Sequence, residues 1–360
     1  TGSTLNGSIS VTGGSLTYDG ILQNTDSVSI TNSATLTLGG TVTISQLVNN
    51  DGGNLILKEG VVIQGLSGVG KTVATGESLD YVGAVSTSYT EAIDLSSIAT
   101  NTANVTVQGG IATAFTGVTF ENGSTLVLTD GQTLSSAPVI DSADSAITLE
   151  VAAGASATFQ TYISSGNGIS NVNVGEGATL NIADGGCDGS GRYNIFNRKS
   201  ASSTLITLSS GATLNSGFGF FGWNNYDTNS TVSAPTANNI TMESGSTWNI
   251  TGGSMYLNKS VLTLKGGTIN LSSSASIWFE RQANSILTTE DAGQMSVIAG
   301  EGSVQLGNNG SGGATFNVAR STLFDIDDIN TADLQISAKV TNNSYKLTKN
   351  GAGVLELTNS

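Results

Sequence analysis

A short hydrophobic–polar phrase recurs along the chain. Most copies place a glycine and a small residue, then Ser or Thr, before an apolar–polar–apolar triplet. Clear copies are GGSLTY (13–18), SATLTL (33–38), GGNLIL (52–57), GSTLVL (123–128), GATLNI (177–182), GATLNS (211–216), GSTWNI (245–250), GGTINL (266–271) and GATFNV (313–318). Period-two alternation over so few residues predicts short β-strands, each preceded by a turn glycine that can adopt positive φ. Helical periodicity is not sustained anywhere, so we predict an all-β protein.

The spacing of these strands predicts how they are wound. The first apolar residues of four successive strands lie seven positions apart, at Trp248, Met255, Leu262 and Ile269. Two earlier steps are 19 and 20 residues long, from Leu36 to Leu55 and from Val42 to Val62. Strands that return to the same face about every 20 residues predict a right-handed, single-stranded parallel β-helix (β-solenoid) with three short strands per rung. In such a coil the inward apolar residues stack, and the outward Thr and Asn form columns.

A β-sandwich is the competing architecture, but its strands recur every 8 to 12 residues, which is a longer step than the one seen here. The chain has only 2 Pro, as expected if every strand needs its N–H for a neighbouring rung. We therefore expect one continuous β-helix over residues 1–360. Three segments break the pattern and are predicted to leave the coil as loops, near 65–104, 183–203 and 217–238.

Composition removes many enzyme classes. The chain has no His and a single Cys, Cys187, so it can form no Ser-His-Asp triad, no Cys-His pair, no imidazole metal site and no internal disulfide. Twelve Lys and Arg face 27 Asp and Glu, for a net charge of −15, which disfavours nucleic acid and anionic lipid as partners. No stretch is apolar enough for a membrane-spanning helix. We expect no cofactor and no bound metal.

Two of the predicted loops carry the candidate binding residues. An aromatic cluster runs through 218–226, and Trp223 and Tyr226 are the best candidates for exposed rings. Flat rings beside amides and carboxylates suit sugars, because the ring stacks on C–H groups while polar side chains bond hydroxyls. The alternative is that the rings pack the loops against the coil. The candidate binding set is Trp223, Tyr226, Asn224, Asp227, Arg192 and Tyr193.

Other motifs point more weakly to chemistry. Asp184 with Asp188, and the acids in 325–328, could serve a carbohydrate-active enzyme or hold a cation, but they also suit a solvated acidic face. GLSGVGKT (65–72) matches the phosphate-loop spacing, yet no helical period follows Lys71, as that motif requires. Trp278, in SIWFERQ, is interpreted as structural. We predict no catalytic residues and no metal ligands.

The end of the chain carries a motif of a known family. The stretch YKLTKNGAGVLELTNS (345–360) resembles the passenger-associated repeat of bacterial autotransporters, L-x-K-x-G-x-G-x-L-x-L. The matching residues are Leu347, Lys349, Gly351, Gly353, Leu355 and Leu357. FDIDDINTADLQIS (324–337) is similar to the rung that precedes this repeat, so the match covers 324–360. The glycines would allow a tight corner, with Leu355 and Leu357 pointing into the coil.

This resemblance implies a passenger domain exported through the outer membrane to the bacterial cell surface or beyond. Membrane contact would come only through a C-terminal barrel that is missing here, so the chain would be part of a longer precursor. The leading hypothesis is a non-enzymatic adhesin or self-associating rod. Its partners would be host or matrix glycans or proteins, or a second copy of itself. The alternatives are a carbohydrate-active β-helix enzyme (polysaccharide lyase or hydrolase) and a passive stalk that presents another domain.

Overall fold

The computed structural model is all-β. It describes residues 4–18, 21–23, 28–32, 34–38, 42–44, 47–49, 54–57, 61–63, 66–68, 71–74, 104–107, 111–113, 118–120, 123, 125–134, 139–140, 147–160, 169–182, 204–217, 238–257, 260–279, 286–307, 313–322, 331–341 and 345–359. Within these ranges every regular element is a β-strand.

The strands are two to five residues long. Up to residue 151 they are β1 (Thr4–Asn6), β2 (Ile9–Val11), β3 (Ser15–Tyr18), β4 (Ile21–Gln23), β5 (Val28–Ile30), β6 (Thr35–Leu38), β7 (Val42–Ile44), β8 (Leu47–Asn49), β9 (Asn54–Leu57), β10 (Val61–Ile63), β11 (Leu66–Gly68), β12 (Lys71–Ala74), β13 (Asn104–Val107), β14 (Ile111–Thr113), β15 (Val118–Phe120), β16 (Thr125–Leu128), β17 (Thr133–Leu134), β18 (Val139–Ile140) and β19 (Thr148–Val151). The remainder are β20 (Ser156–Phe159), β21 (Asn171–Val174), β22 (Thr179–Ile182), β23 (Thr204–Leu208), β24 (Thr213–Ser216), β25 (Asn238–Met242), β26 (Thr247–Ile250), β27 (Gly253–Leu257), β28 (Val261–Leu264), β29 (Thr268–Leu271), β30 (Ala275–Phe279), β31 (Ile286–Thr289), β32 (Ser296–Gly300), β33 (Ser303–Gln305), β34 (Ala314–Asn317), β35 (Leu334–Ile336), β36 (Lys339–Thr341), β37 (Leu347–Asn350) and β38 (Leu355–Leu357).

The chain divides into two compact units. The first comprises Thr1–Leu128 with Ser136–Leu149, and the second Thr129–Ser135 with Glu150–Ser360. In the first unit, consecutive strands join three parallel sheets in turn, in the orders β1-β4-β7-β10, β2-β5-β8-β11 and β3-β6-β9-β12-β13-β15-β18. Three strands per turn and parallel pairing between turns are the arrangement of a parallel β-helix, as the sequence predicts.

The second unit repeats this arrangement. Its strands form a nine-stranded sheet (β17-β20-β22-β24-β26-β29-β32-β35-β38), a four-stranded sheet (β27-β30-β33-β36) and the parallel run β21-β23-β25-β28-β31-β34-β37. The sequence-derived registers are confirmed where Trp248 pairs with Ile269 and where Leu36 pairs with Leu55. Val42, however, pairs with Val61 rather than Val62, because this turn is one residue shorter than the spacing indicated. A single β-helix through all 360 residues stays a prediction.

Inward side chains stack from turn to turn to make the core of the second unit. One such column is formed, in register, by Leu180, Leu214, Trp248, Ile269 and Ile298, all 0% exposed. Each fully buried side chain of this kind stabilises the fold by about 1.5–3 kcal/mol through removal of apolar surface from water. The buried Trp248 indole keeps a hydrogen bond, because its Nε1 donates to Ser216 Oγ at 2.9 Å.

Glycines set the tight turns between strands of the second unit. Gly177 and Gly211 have φ of 64° and 68°, in the left-handed region that only glycine enters without strain. In each turn the N–H of the residue after the glycine donates to the carbonyl three residues earlier, which closes a four-residue β-turn. For Gly211, the Ala212 N–H donates to the Ser209 carbonyl at 2.9 Å. Positive φ at the third turn position is the type II geometry, so the glycine in the repeated phrase has the predicted role.

The predicted loop near 65–104 needs correction at both ends. β11 pairs with β8, β12 pairs with both β9 and β13, and the last residue of the segment, Asn104, begins β13. The sheet ladders therefore continue through 66–68 and 71–74, since short strands here still find partners one turn away. Residues 75–103, 183–203 and 218–237 lie outside the described residues, so the loops expected there stay predictions.

Within the stretch 345–360 that resembles the passenger-associated repeat, Leu347–Asn350 and Leu355–Leu357 form two strands around a glycine corner. Leu355 and Leu357 are in register with Leu334 and Ile336, which are inward and 0% exposed. Leu357 is nevertheless 47% exposed, because β38 pairs with β35 on one side only. Lys349 is in register with the buried Phe316, and its Nζ donates to the Gly351 carbonyl at 2.5 Å.

Candidate functional site

The outward side of the nine-stranded sheet carries two polar columns. Four paired strands, β22, β24, β26 and β29, share the pattern Thr-x-Asn-x, and alternation sends their Leu, Trp and Ile residues to the core and their Thr and Asn residues outward. We call these eight half-buried residues the Thr/Asn face: Thr179, Thr213, Thr247, Thr268, Asn181, Asn215, Asn249 and Asn270. The face carries no charged group.

The four asparagines form a continuous amide ladder. Asn215 Nδ2 donates to Asn181 Oδ1 at 2.7 Å, and Asn249 Nδ2 donates to Asn215 Oδ1 at 2.8 Å. Asn270 Nδ2 continues the ladder to Asn249 Oδ1 at 2.8 Å. The ladder has one rung per turn of the coil, although neighbouring asparagines are 34, 34 and 21 residues apart in sequence. It therefore fixes the outward amides at the spacing of paired strands, about 4.8 Å.

A second polar column lies on the run of strands from β21 to β37. Its paired residues, in order, are Asn173, Thr207, Thr241, Thr263, Thr288, Asn317 and Asn350. At its end, Asn350 Nδ2 donates to Asn317 Oδ1 at 3.1 Å. Two neighbouring sheets of the second unit thus display ordered hydroxyls and amides, as the predicted outward columns require.

The four-stranded sheet has a different outward surface. In β30, Phe279 and Ile277 are buried while Trp278 is half-buried on the opposite side. Trp278 is in register with Gln305 of β33, and Ser276 is in register with Ser303. From the sequence SIWFERQ, Trp278 is interpreted as structural. The alternation in ASIWF indicates this outward position, because Ala275, Ile277 and Phe279 point inward and Trp278 lies between two of them.

Charged groups near these surfaces are held in pairs. Lys265 Nζ lies 3.0 Å from Glu243 Oε1 and 3.3 Å from Glu290 Oε2, and the hydrogen bond that Lys265 donates to Glu243 is the main cause of a raised Lys265 pKa. Elsewhere Asp333 accepts from Arg320 Nη1 at 2.9 Å and from the Ser321 and Val354 N–H groups at 2.7 Å each. These contacts give the charges structural partners.

Two carboxyl groups have perturbed pKa values, in opposite directions. Hydrogen bonds from the Thr322 hydroxyl and then the Thr322 N–H lower the Asp291 pKa, so this group stays a carboxylate. Burial raises the pKa of Glu150, which is half-buried in β19. An acid–base pair needs two such groups around one substrate position, and these two share no hydrogen bond or salt bridge among the contacts that the structure gives.

The binding residues proposed from sequence lie outside the described residues. This applies to Trp223, Tyr226, Asn224, Asp227, Arg192 and Tyr193. It also applies to Cys187 and to the acids Asp184, Asp188, Asp325, Asp327 and Asp328. Lys71 begins strand β12, which is incompatible with the helix that a phosphate loop opens. In the part of the chain that is described, no three acidic or Cys residues come close enough to hold a metal ion.

Comparison of the chain with protein families, with curated proteins and with solved structures found no match. A search of the described ranges for a long apolar helix able to cross a bilayer also found none.

Proposed function

We propose that the chain is a surface-exposed or secreted bacterial autotransporter passenger that acts as a non-enzymatic adhesin or self-associating protein. The observation that carries this proposal is the Thr/Asn face, whose amides are locked in one ladder. The resemblance of residues 345–360 to the passenger-associated repeat, in which Leu347–Asn350 and Leu355–Leu357 form strands, supports the proposed family.

A rigid array of uncharged donors and acceptors suits adhesion more than catalysis. Each exposed hydroxyl or amide forms a weak contact with a partner, but contacts at fixed spacing act together and add avidity along one surface. The side chains are already ordered by the sheet, so binding costs little conformational entropy. A partner with its own regular array of hydroxyls or amides fits best, such as a glycan chain, a mucin-like surface or the same face of a second copy.

The test measures self-association and ligand binding of the purified chain together. Sedimentation velocity reports self-association, and a glycan array with immobilised mucin reports adhesion. In the double variant Thr213→Val/Thr247→Val the shape and β-propensity of the face are kept while two hydroxyls are lost. We expect association or adhesion to weaken about tenfold, which corresponds to about 1.4 kcal/mol.

A matched control replaces outward threonines of the first unit, Thr35→Val/Thr37→Val, which belong to β6 and are not part of the Thr/Asn face. Both variants should keep the wild-type circular dichroism and melting temperature. If wild type shows neither self-association nor adhesion, the proposal is wrong and a passive stalk becomes the better account. If the purified chain cleaves polysaccharide, the proposal is also wrong, and a carbohydrate-active enzyme becomes the better account.

A further inference from the structure

The outward surface of the four-stranded sheet differs chemically from the Thr/Asn face. Its centre is Trp278, flanked in the neighbouring strand by Gln305, with Ser276 and Ser303 one position further back on the same side. Gln305 and Ser303 are half-buried, and Lys339, in register with Ser303, is exposed. We call Trp278, Ser276, Gln305 and Ser303 the indole face.

The Trp278 ring is fixed in one orientation. Its Nε1 donates to Ser276 Oγ at 2.8 Å, and Ser276 Oγ lies 3.0 Å from Ser254 Oγ in the next strand. Because Ser276 precedes Trp278 by two residues on the same side of the strand, the indole must lean back along β30 to reach it. Ser276 is accordingly only 9% exposed. This hydrogen bond ties the indole to Ser276 on the outward side of β30.

The core does not require this tryptophan. Phe279 packs on Phe316 at a centroid distance of 5.1 Å, and Ile277 is 0% exposed, so the inward positions of β30 are already filled. Trp278 remains half-buried on the outside with its polar N–H satisfied. A flat apolar surface beside an amide is the combination that stacks on the C–H face of a sugar ring while bonding its hydroxyls.

We propose that the indole face binds a neutral oligosaccharide built of pyranose rings. One ring stacks on Trp278, and hydroxyls of the same or the next sugar bond to the Gln305 amide and the Ser303 hydroxyl. Paired strands place Trp278 and Gln305 about 4.8 Å apart, which is within reach of one sugar residue. The inference rests on the proposed adhesive function and deepens it by naming the ligand class and a site for it.

Charge favours a neutral ligand over an acidic one. The protein has a net charge of −15, which repels sialylated or uronic-acid chains at long range. Lys339 is the one cation that the described strands of this sheet place in register beside the indole face, and a single exposed lysine does not reverse that field. Stacking on an indole and hydrogen bonding to amides do not need ligand charge.

The experiment compares binding of the full chain to a glycan array holding neutral and acidic oligosaccharides, followed by titration with the best neutral ligand. Trp278→Ala removes the platform and should weaken binding at least about tenfold. Trp278→Phe keeps an aromatic ring but loses the Ser276 hydrogen bond, so it should retain part of the affinity. Gln305→Leu keeps the size of the side chain, removes its amide and should also weaken binding.

A second readout separates a binding role from a structural one. Ligand should protect wild-type tryptophan fluorescence from acrylamide quenching, and this protection should be absent in Trp278→Phe, which retains Trp223 and Trp248. Thr35→Val/Thr37→Val is the control, because these two β6 residues belong neither to the indole face nor to the Thr/Asn face, and it should leave neutral-glycan affinity unchanged. Melting curves check that each variant folds.

The outcomes distinguish this inference from the proposed function. Neutral-glycan binding that Trp278→Ala abolishes and Trp278→Phe partly restores supports the inference. Unchanged binding in Trp278→Ala, or self-association without any neutral-glycan binding, overturns the inference while the proposed function stands. Absence of both glycan binding and self-association overturns both, and a preference for acidic glycans overturns the ligand class.

Discussion

At the residue scale, Asp333 is the most constrained charge in the described part of the chain. Its side chain is 3% exposed and that of its partner Arg320 is 9% exposed. Arg320 Nη1 also donates to the Thr331 carbonyl at 2.8 Å, so one network connects residues on both sides of 323–330 with the Val354 backbone. Loss of one partner of such a buried pair is strongly destabilising, because the other charge is then buried without compensation.

Asp333→Ala should therefore destabilise the C-terminal strands by about 3–5 kcal/mol. Hydrogen exchange of the amides in β35, β37 and β38 measures this loss locally. Glu290→Gln is the matched control, since the Lys265–Glu290 pair is exposed to 27% and 53% and such surface pairs contribute about 0–1 kcal/mol. Equal effects of the two substitutions would contradict the assignment of Asp333 as a structural anchor.

Two other carboxyl groups should give opposite pH dependences. The pKa of Asp291 is lowered, mainly by the Thr322 hydroxyl, so its stabilising contribution is present above the usual pKa of an aspartate, about 3.9. It is lost as pH falls through the lowered value. The pKa of Glu150 is raised by burial, so ionisation of this group opposes folding above the usual pKa of a glutamate, about 4.3.

We expect Asp291→Asn to be less stable than wild type at pH 7 and to approach wild-type stability below about pH 4. Glu150→Gln should be more stable than wild type at pH 7, with the difference shrinking as acid protonates Glu150. Melting temperatures of both variants from pH 3 to 8 test this. Parallel curves for wild type and a variant across that range would argue against the corresponding pKa shift.

At the element scale, the asparagine ladder converts separate turns into one polar strip. Asn215 takes part in two ladder hydrogen bonds, as donor to Asn181 and as acceptor from Asn249. Asn270, at the end, has the single ladder bond to Asn249. Each hydrogen bond contributes about 0.5–1.5 kcal/mol net, so position in the ladder should decide the cost of substitution.

Asn215→Ala should thus cost about 1–3 kcal/mol and Asn270→Ala about half of that. Chemical denaturation of the two variants under identical conditions measures the ratio. The two residues are the same type on the same face, so differences in β-propensity largely cancel. A cost at Asn270 equal to that at Asn215 would mean that the amides act singly and not as a ladder.

The sequence could predict the elements that alternation and spacing determine. Leu36 with Leu55 and Trp248 with Ile269 are paired as their separations indicate, because inward residues must return to the same column each turn. The Thr and Asn columns follow from the same rule. The Val42 pairing is off by one residue, since Val61 and Val62 are both apolar and the pattern does not distinguish them.

The indole face and the Asp333 network could not be predicted in this way. Trp278 and Gln305 become neighbours through pairing of β30 with β33, and their separation of 27 residues is longer than the steps of 19 and 20 residues from which the coil is predicted. Asp333 contacts Arg320 and Val354 from 13 and 21 residues away, across different turns. Long-range polar contacts leave no periodic signal in the sequence, so they can be identified only in the folded structure.

At the scale of the whole molecule, charge governs the proposed self-association. Copies that each carry −15 repel one another, while the Thr/Asn face is uncharged and gains nothing from ion pairing. Salt shortens the screening length from about 30 Å at 0.01 M to about 3 Å at 1 M and so removes the repulsion without weakening hydrogen bonds between neutral groups.

Self-association measured by sedimentation velocity should therefore strengthen as NaCl is raised from 0.01 to 1 M. Thr213→Val/Thr247→Val should stay weaker than wild type at each concentration. Association that weakens with salt would instead indicate an ion-paired contact and would exclude the Thr/Asn face as the surface that joins two copies.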